Sequence, residues 1–289
     1  MKYRFIAEHR EAHRVGRMAA LLEVTRSGYY AWQRRGEGAR RAADRELAGQ
    51  IREIQQEVQR RYGSPRVTRE LGRRGRYVGH NRVARLMREN ELGARPKRRF
   101  RVTTKSDDTL EVAENTLNRE FEVAGANQVW VSDITYIATA EGWLYLCVVL
   151  DLYARRVVGW SMGQTLVTGL AVAALMMAVM RRRPPRGLLF HSDRGVQYCA
   201  AAFRRTADRH GMRQSMSRKG NCWDNACAET FFKSLKRELI GDRIFASRPE
   251  ARAAIFEYLE VFYNRRRLHS YLGYVTPVEY EERKRQKAA

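Results

Sequence analysis

Residues 129–137 read VWVSDITYI, residues 144–152 LYLCVVLDL and residues 155–162 RRVVGWSM. From Gln128 the period of the sequence switches to that of strands, and these are the three runs. The connectors between them are short, with EGW at 141–143 as a turn. Short connectors join antiparallel neighbours, so these runs predict a three-stranded antiparallel sheet. Beyond it the pattern changes. Leu166 to Met180 is an apolar run, GLLFHSD at 187–193 reads as a buried strand, and Ala200–His210 as a helix. MRQSM at 212–216 is a candidate fifth strand, and 224–240 and 249–265 read as helices. Strands that then alternate with helices predict an α/β domain with a mixed sheet. The apolar run contains Thr168 and Gly169 and ends at Arg181, Arg182 and Arg183. It is shorter than the ~20 residues a bilayer requires, so it reads as a buried core helix.

Toward the N-terminus the strand pattern stops. Residues 94–126 sustain no apolar period, and Pro96, Lys97, Arg98, Arg99 and Arg101 make the first part basic. The stretch reads as a linker that orders on DNA. Residues 1–100 read as helices. Met18, Ala19 and Leu22 form a stripe, Thr25 is an N-cap, and Tyr29, Tyr30 and Trp32 lie on the next helix. This is a helix-turn-helix outline, although Glu23 stands at a turn position that suits glycine better; an ordinary helical pair is the alternative. Leu47, Ile51, Ile54 and Val58 then mark one face of a longer helix. A second helix-turn-helix unit follows, with Ser64 as cap, Pro65 in the first turn, GRRGRYVGH at 72–80 as the turn, and Leu92-Gly93 as the stop. Arg73, Arg74, Arg76, Arg82, Arg85 and Arg88 crowd this unit, with Glu89 as the nearby acid. Such density favours phosphate contacts.

Charge supports that reading. The 289 residues carry 55 Lys and Arg against 32 Asp and Glu, a net +23. Residues 1–108 hold 28 of the basic and 13 of the acidic residues, so the front is the main electrostatic footprint. Nucleic acid is the first partner such a chain implies, ahead of a membrane surface. The length suits about two domains. Cys147, Cys199, Cys222 and Cys227 never stand at C-x-x-C spacing, which argues against a zinc knuckle and fits a reducing cytoplasm. His9 and His13, without matching cysteines, read as surface residues.

Three acids stand out from this background. Asp133 shares a strand face with Val129, Val131, Thr135 and Ile137 by the period of two. A carboxylate among apolar neighbours needs a metal or a basic partner. Asp193 ends the strand before Arg194-Gly195, and strand ends are where sites gather in open α/β sheets. Glu229 lies on a helix whose core face is Ala228, Phe232, Leu235 and Leu239; Lys233 and Lys236 share its other face. A Glu229–Lys233 helix pair is the plain alternative. Asp151 competes as a fourth acid, but at the turn between the second and third strands it reads as solvated. Two-metal phosphoryl transfer needs carboxylates converging from distant points of the chain, and three acids suffice for magnesium.

The words around these acids are NQVWVSDITYI, LYLCVVLDLYARRVVGW, FHSDRGVQY, MSRKGNCWDNACAETFFKSLKREL and YNRRRLHSYLGYVTPVEY. With 59 residues between the first two acids and 35 between the last two, they resemble the D, D, E core of retroviral integrases and insertion-sequence transposases. Together with YRFIAEHR and RSGYYAW at the front, the chain resembles the OrfB proteins of insertion sequence family three over nearly its whole length. The resemblance implies a ribonuclease-H-like fold for residues 127–289, with Asp133, Asp193 and Glu229 as ligands of Mg2+ or Mn2+, two ions in number. It implies that Lys233 and Lys236 contact DNA ends, that an upstream OrfA protein is partner or fusion, and that an oligomer assembles on double-stranded DNA. The expected activity is strand cleavage and strand transfer in a bacterial cytoplasm, at the nucleoid. A DNA-binding regulator and a nuclease without joining are the rival readings. The expected division is 1–100 for DNA binding, 101–126 as linker and 127–289 for catalysis.

Overall fold

A computed structural model describes residues 1–34, 38–94, 112–219 and 221–288. β1 (Val129–Thr139) and β2 (Gly142–Asp151) form a long hairpin in register from Trp130 opposite Asp151 to Thr139 opposite Gly142. Gly142 takes φ +103° after the turn, a region closed to most side chains. β3 (Arg156–Gly163) pairs antiparallel with β2, with an irregularity at Val149 and Leu150. The chain then crosses through α7 (Thr168–Arg182) to β4 (Leu189–Ser192), which lies parallel to β1 on its free side. The short α8 (Val196–Cys199) and α9 (Ala201–Arg209) lead to β5 (Arg213–Met216), parallel to β4. The strand order is β3-β2-β1-β4-β5, a mixed five-stranded sheet as expected.

Period-two alternation sorts the sheet's side chains into two cores. Val131 and Ile137 join Leu144, Leu146, Val148 and Leu150 on the face covered by the C-terminal helices. Trp130, Cys147 and Val149 join Phe190 and the α7–α9 layer on the other. On that side α7 turns Ala171, Ala174 and Ala178 inward, all buried. A Cβ on Gly159 of β3 would meet the Ala174 carbonyl oxygen at 2.3 Å, so glycine lets helix backbone rest on strand backbone. No described helix is long and apolar enough to cross a membrane.

The C-terminal face is built by α10 (Ala226–Leu235), preceded by a 3-10 turn (Cys222–Asn225) and continued by a π-helical turn (Lys236–Ile240). α11 (Arg248–Phe256) runs on as a second π segment (Glu257–Tyr263), and α12 (Pro277–Ala288) ends the chain. Glu281 of α12 pairs with Arg156 at 2.6 Å and Arg182 at 2.9 Å, tying this last helix to the sheet.

At the front, α1 (Lys2–His9), α2 (Val15–Leu21) and α3 (Arg26–Arg34) share a small core of Ile6, Met18, Ala19 and Tyr29. Glu23 does take the left-handed turn position, at φ +53°. Thr25 Oγ1 accepts from Gly28 N at 3.1 Å, the expected cap. α4 (Ala39–Glu57), α5 (Ser64–Arg73) and α6 (His80–Glu89) form the second helical unit. Two helix ends differ from expectation. Gly63, not Ser64, is the cap residue of α5, and Ser64 Oγ hydrogen-bonds His80 Nε2 at 3.0 Å. α6 stops through Glu91 at φ +54°, with Leu92 N donating to Met87 O at 2.8 Å, so Gly93 is not needed.

The hydrophobic contacts of α4–α6 run on into the sheet's C-terminal layer. Tyr62 is buried; its hydroxyl donates to Arg266 O at 2.8 Å and accepts from Leu268 N at 3.0 Å. Arg66 Nε donates to Leu268 O at 2.8 Å. The stretch expected to be a linker divides likewise. Lys97, Arg98, Arg99 and Arg101 lie outside the described residues. Residues 112–126 include a built segment along β5: Leu117 is buried, and Thr116 N and Leu117 N both donate to Ser215 Oγ, at 3.0 and 3.1 Å.

Candidate active site

β1 and β4 place two of the three acids. Val131 stands beside His191 in the parallel register. Two residues further along each chain, past the last paired residues, Asp133 and Asp193 come close enough for the charge of Asp193 to act on Asp133. Asp133 Oδ1 accepts from Ile134 N at 2.7 Å and Asp193 Oδ1 from Gly195 N at 2.9 Å. The third acid comes from α10, which lays Ala228, Phe232 and Leu235 on the same sheet face. Its Glu229 is close enough for its charge to act on Asp133.

The electrostatics follow from this crowding. Burial, then the charge of Asp193, then that of Glu229 push the Asp133 carboxyl well above the usual range. Burial raises Asp193 as well, against the Gly195 N–H bond. Lys236, half-buried over the Tyr136 ring at 5.5 Å, is the cation whose charge acts on Asp133; burial lowers its pKa and Asp133 opposes that. Two partly buried acids held close together favour the uptake of positive charge, and hard oxygen donors of this kind suit Mg2+ or Mn2+. Among the described residues the three acids do not form a closed metal cage. Glu229 is instead turned to Lys233, with 3.0 Å between Oε2 and Nζ. The helix pair of the plain alternative is therefore present, while Lys236 sits inward beside the aspartate.

Asp151 departs from its expected place. It is the last residue of β2 and fully buried, not a solvated turn residue. It accepts from Asn127 N at 2.8 Å and Tyr153 N at 3.0 Å, and Arg182 lies 3.5 Å away. Backbone donors from both sides of the strand end enclose it, so it anchors the turn.

Two residues that sequence reading passed over position the site. Asn225 Nδ2 donates to Ser132 O at 3.0 Å, fastening the entry of α10 to the strand residue before Asp133. Asp224 is buried and held far below the carboxylate range, chiefly by Arg218, with Arg119 also bonded to it at 2.8 Å. Asn225 stands four residues before Glu229, one helical turn back, and that spacing was the available signal. The partners of Asp224 lie up to 109 residues away in Asn115, and no local pattern reveals them.

The arginines expected to meet DNA are paired with acids of the chain itself. Arg73 bonds Glu279 of α12 at 2.9 Å, and Arg74 bonds Glu57 at 2.7 Å and Glu70 at 3.2 Å. Arg76 pairs with Glu46 at 3.5 Å. Arg82 and Arg85 share Asp44, each at 2.6 Å, and Arg85 also reaches Glu89. Their surroundings are thus more acidic than the local sequence suggests, because α4 and α12 supply the acids. These arginine side chains remain 36–43% exposed, and exposed ion pairs hold weakly enough for phosphates to compete.

The integrase core domain matches residues 123–222 of the chain and again 229–284. The HTH-like domain matches residues 42–100, the α4–α6 unit and the stretch after it. The Insertion element IS600 uncharacterized 31 kDa protein of Shigella sonnei is 44% identical over 272 residues, covering 94% of this chain and 100% of that one. Transposase InsF for insertion sequence IS3A of Escherichia coli (strain K12) is 43% identical over 290 residues, covering 98% and 99%. Among solved structures, a simian T-cell lymphotropic virus intasome is 12% identical and covers 80% of this chain and 74% of that one, at a TM-score of 0.47.

Proposed function

The chain belongs to the insertion sequence IS3 transposases, with their integrase core and ribonuclease-H-like fold, and from that premise we propose that Asp133, Asp193 and Glu229 are its catalytic carboxylates. The reaction class is that of a D, D, E polynucleotidyl transferase: water cleaves a strand at an element end, and the freed 3′ hydroxyl attacks another phosphodiester. The observation that supports the assignment is that the pairing of β1 with β4 and the packing of α10 bring the charges of Asp193 and Glu229 to bear on Asp133.

The three carboxylates would hold Mg2+ or Mn2+, two ions in this reading, and a bound pair supplies charge neutralisation at the attacking and leaving oxygens. The protein's own part is positioning. Asn225 and the buried face of α10 hold the helix that carries Glu229 against the sheet. Lys236 places a positive charge next to Asp133, where a phosphate oxygen would also lie. Lys233, 62% exposed, is available to a DNA end once Glu229 turns to the metals. Arg73, Arg74, Arg76, Arg82 and Arg85 exchange carboxylates for the phosphates of double-stranded DNA, in the cytoplasm and at the nucleoid. Two ends must be held together, so the working form is an oligomer on DNA, with OrfA as partner or fusion. Residues 1–100 serve DNA recognition, 101–126 link, and 127–289 catalyse.

The test incubates the protein, with and without OrfA, with DNA carrying the element's terminal repeats and magnesium. Cleaved and joined strands are read on a gel. Asp133→Asn, Asp193→Asn and Glu229→Gln should each abolish both products while leaving DNA binding nearly intact. Strand transfer within about tenfold of wild type, roughly 1.4 kcal/mol of barrier, removes that residue from the site.

A further inference from the structure

Two short stretches, Ser217–Lys219 and Asn221–Asn225, border both aspartates. Ser217 N donates to Ser192 O at 2.9 Å, and Arg194 Nε donates to Ser217 O at 2.7 Å; Ser192 and Arg194 flank Asp193 in the chain. At the other end Asn225 reaches Ser132, the neighbour of Asp133. Between these ties Asp224 is clamped by Arg218 and Arg119 and by Asn115 Nδ2 at 2.9 Å. A buried carboxylate gathering partners from three places makes this rim rigid, because taking such a charge out of water requires them all. Beside the clamp stands Trp223. Its N donates to Asn221 Oδ1 at 3.2 Å, yet its residue surface is 69% exposed. A single exposed aromatic is ordinary on a protein surface. The indole next in the chain to this buried ionic clamp is a flat apolar face exposed to solvent, carried by backbone that the clamp and the Asn225–Ser132 bond hold near the aspartates.

We propose that Trp223 is a nucleobase-stacking residue that receives a base unpaired from the duplex end beside the scissile phosphate. The proposal rests on the transposase reading of the three acids. Those acids are partly buried, and a paired, stacked duplex end resists bringing its backbone down to them. Opening the terminal pair costs unstacking and unpairing energy, least where a base is already mismatched. Stacking the freed base on an aromatic face recovers a comparable amount and accepts any base. The rigid rim means that little order has to be imposed on the protein at that moment. Lys219, close by in the chain, adds positive charge on the side of the displaced strand.

The experiment uses the full chain and two element-end substrates, one fully paired and one with the terminal pairs at the cleavage point mismatched. Trp223→Ala should slow cleavage of the paired end by about tenfold to a hundredfold, the range set by loss of one base–aromatic stack. It should slow the mismatched end by no more than about threefold, and Trp223→Phe should keep most activity on both. Equal loss on the two substrates, or no loss on either, overturns the proposal. A second readout is independent of catalysis: 5-iodouracil at the terminal position, irradiated in the complex, should crosslink to the peptide containing Trp223. A crosslink located elsewhere, or unchanged in yield by Trp223→Ala, also overturns it. If the wild type cuts neither substrate, that failure belongs to the transposase reading, and the crosslink decides the role of Trp223 by itself.

Discussion

Glu238 offers a perturbation whose size can be worked out before it is measured. It lies in the π-helical turn after α10, only 2% exposed. Arg267 bonds both its oxygens, at 2.7 and 2.8 Å, Tyr258 donates to it at 2.9 Å, and Arg66 of α5 approaches to 3.5 Å. The cluster therefore pins the end of the Glu229 helix to the π continuation of α11, the segment that follows it and the front helical unit. Burial would raise the Glu238 carboxyl, but the bonds and charge of Arg267 outweigh it and hold the group below its ordinary 4.5. Glu238→Gln keeps the shape and removes the charge, leaving Arg267, 4% exposed, and Arg66, 15% exposed, without this counter-ion. Breaking a buried pair in this way costs about 3–5 kcal/mol. For a chain of this size that lowers the thermal midpoint by roughly 6–20 °C. Adding Arg267→Met should restore more than adding Arg66→Met, because the shorter and deeper bonds carry the coupling. The pH dependence has a definite sign. A depressed carboxylate stabilises the fold above its unfolded pKa and loses that contribution as pH falls through its folded pKa. The gap between wild type and Glu238→Gln should thus be full at pH 7 and shrink as pH falls below the ordinary 4.5. A midpoint drop under about 2 °C at pH 7, where Arg66 and Arg267 are intact, would refute the assignment of net stability to this cluster.

Other expectations follow from the same packing. Asp133→Asn should raise the thermal midpoint slightly even as it abolishes activity, because it relieves the repulsion with Asp193; a clear drop would contradict the crowding described for that pair. Lys236→Ala should lower strand transfer by about tenfold to a hundredfold, the cost of losing a bond to a charged group. Lys233→Ala should change stability little, and full activity in the double variant would remove both lysines from the DNA path. In full-length protein, Arg82→Ala with Arg85→Ala should flatten the log–log salt dependence of DNA binding by about 0.9 for each phosphate that is no longer neutralised; an unchanged slope would assign these arginines to Asp44 alone. His191 and His269 are held down by burial to about 4 and about 3. Their unfolded forms take up protons first, so stability should fall from about pH 6.5 toward about pH 4 by up to roughly 1.4 kcal/mol per pH unit and histidine. Urea titrations of wild type and His191→Gln across that window check this, and parallel curves would contradict it. Gly159→Ala should destabilise by about 1–3 kcal/mol through overpacking against α7, measured by the same titration.

What could be read from the sequence was whatever repeats locally. The alternation in 129–162 gave the hairpin and the third strand, because a sheet's side-chain period is two and its faces differ in polarity. The spacing of Leu47, Ile51, Ile54 and Val58, and of Ala228, Phe232, Leu235 and Leu239, gave helix faces that are buried as expected. The words around Asp133, Asp193 and Glu229 named the family. Other features depended on distant parts of the chain meeting. Asp151 looked like a turn residue, and only the approach of Asn127 and Arg182 buries it. Arg82 and Arg85 read as phosphate contacts with Glu89 nearby, and only the packing of α4 brings Asp44 to them. The front helices looked separate, yet Tyr62 and Arg66 reach into the C-terminal layer through partners about 200 positions away. Lys236 reads as a DNA-end contact sharing the face of Glu229 and Lys233, and only the π turn and β1 set it inward, where its charge acts on Asp133. Local periodicity encodes which face of an element is apolar. Which polar group meets which charge is set only when those faces pack, and that is a property of the tertiary structure.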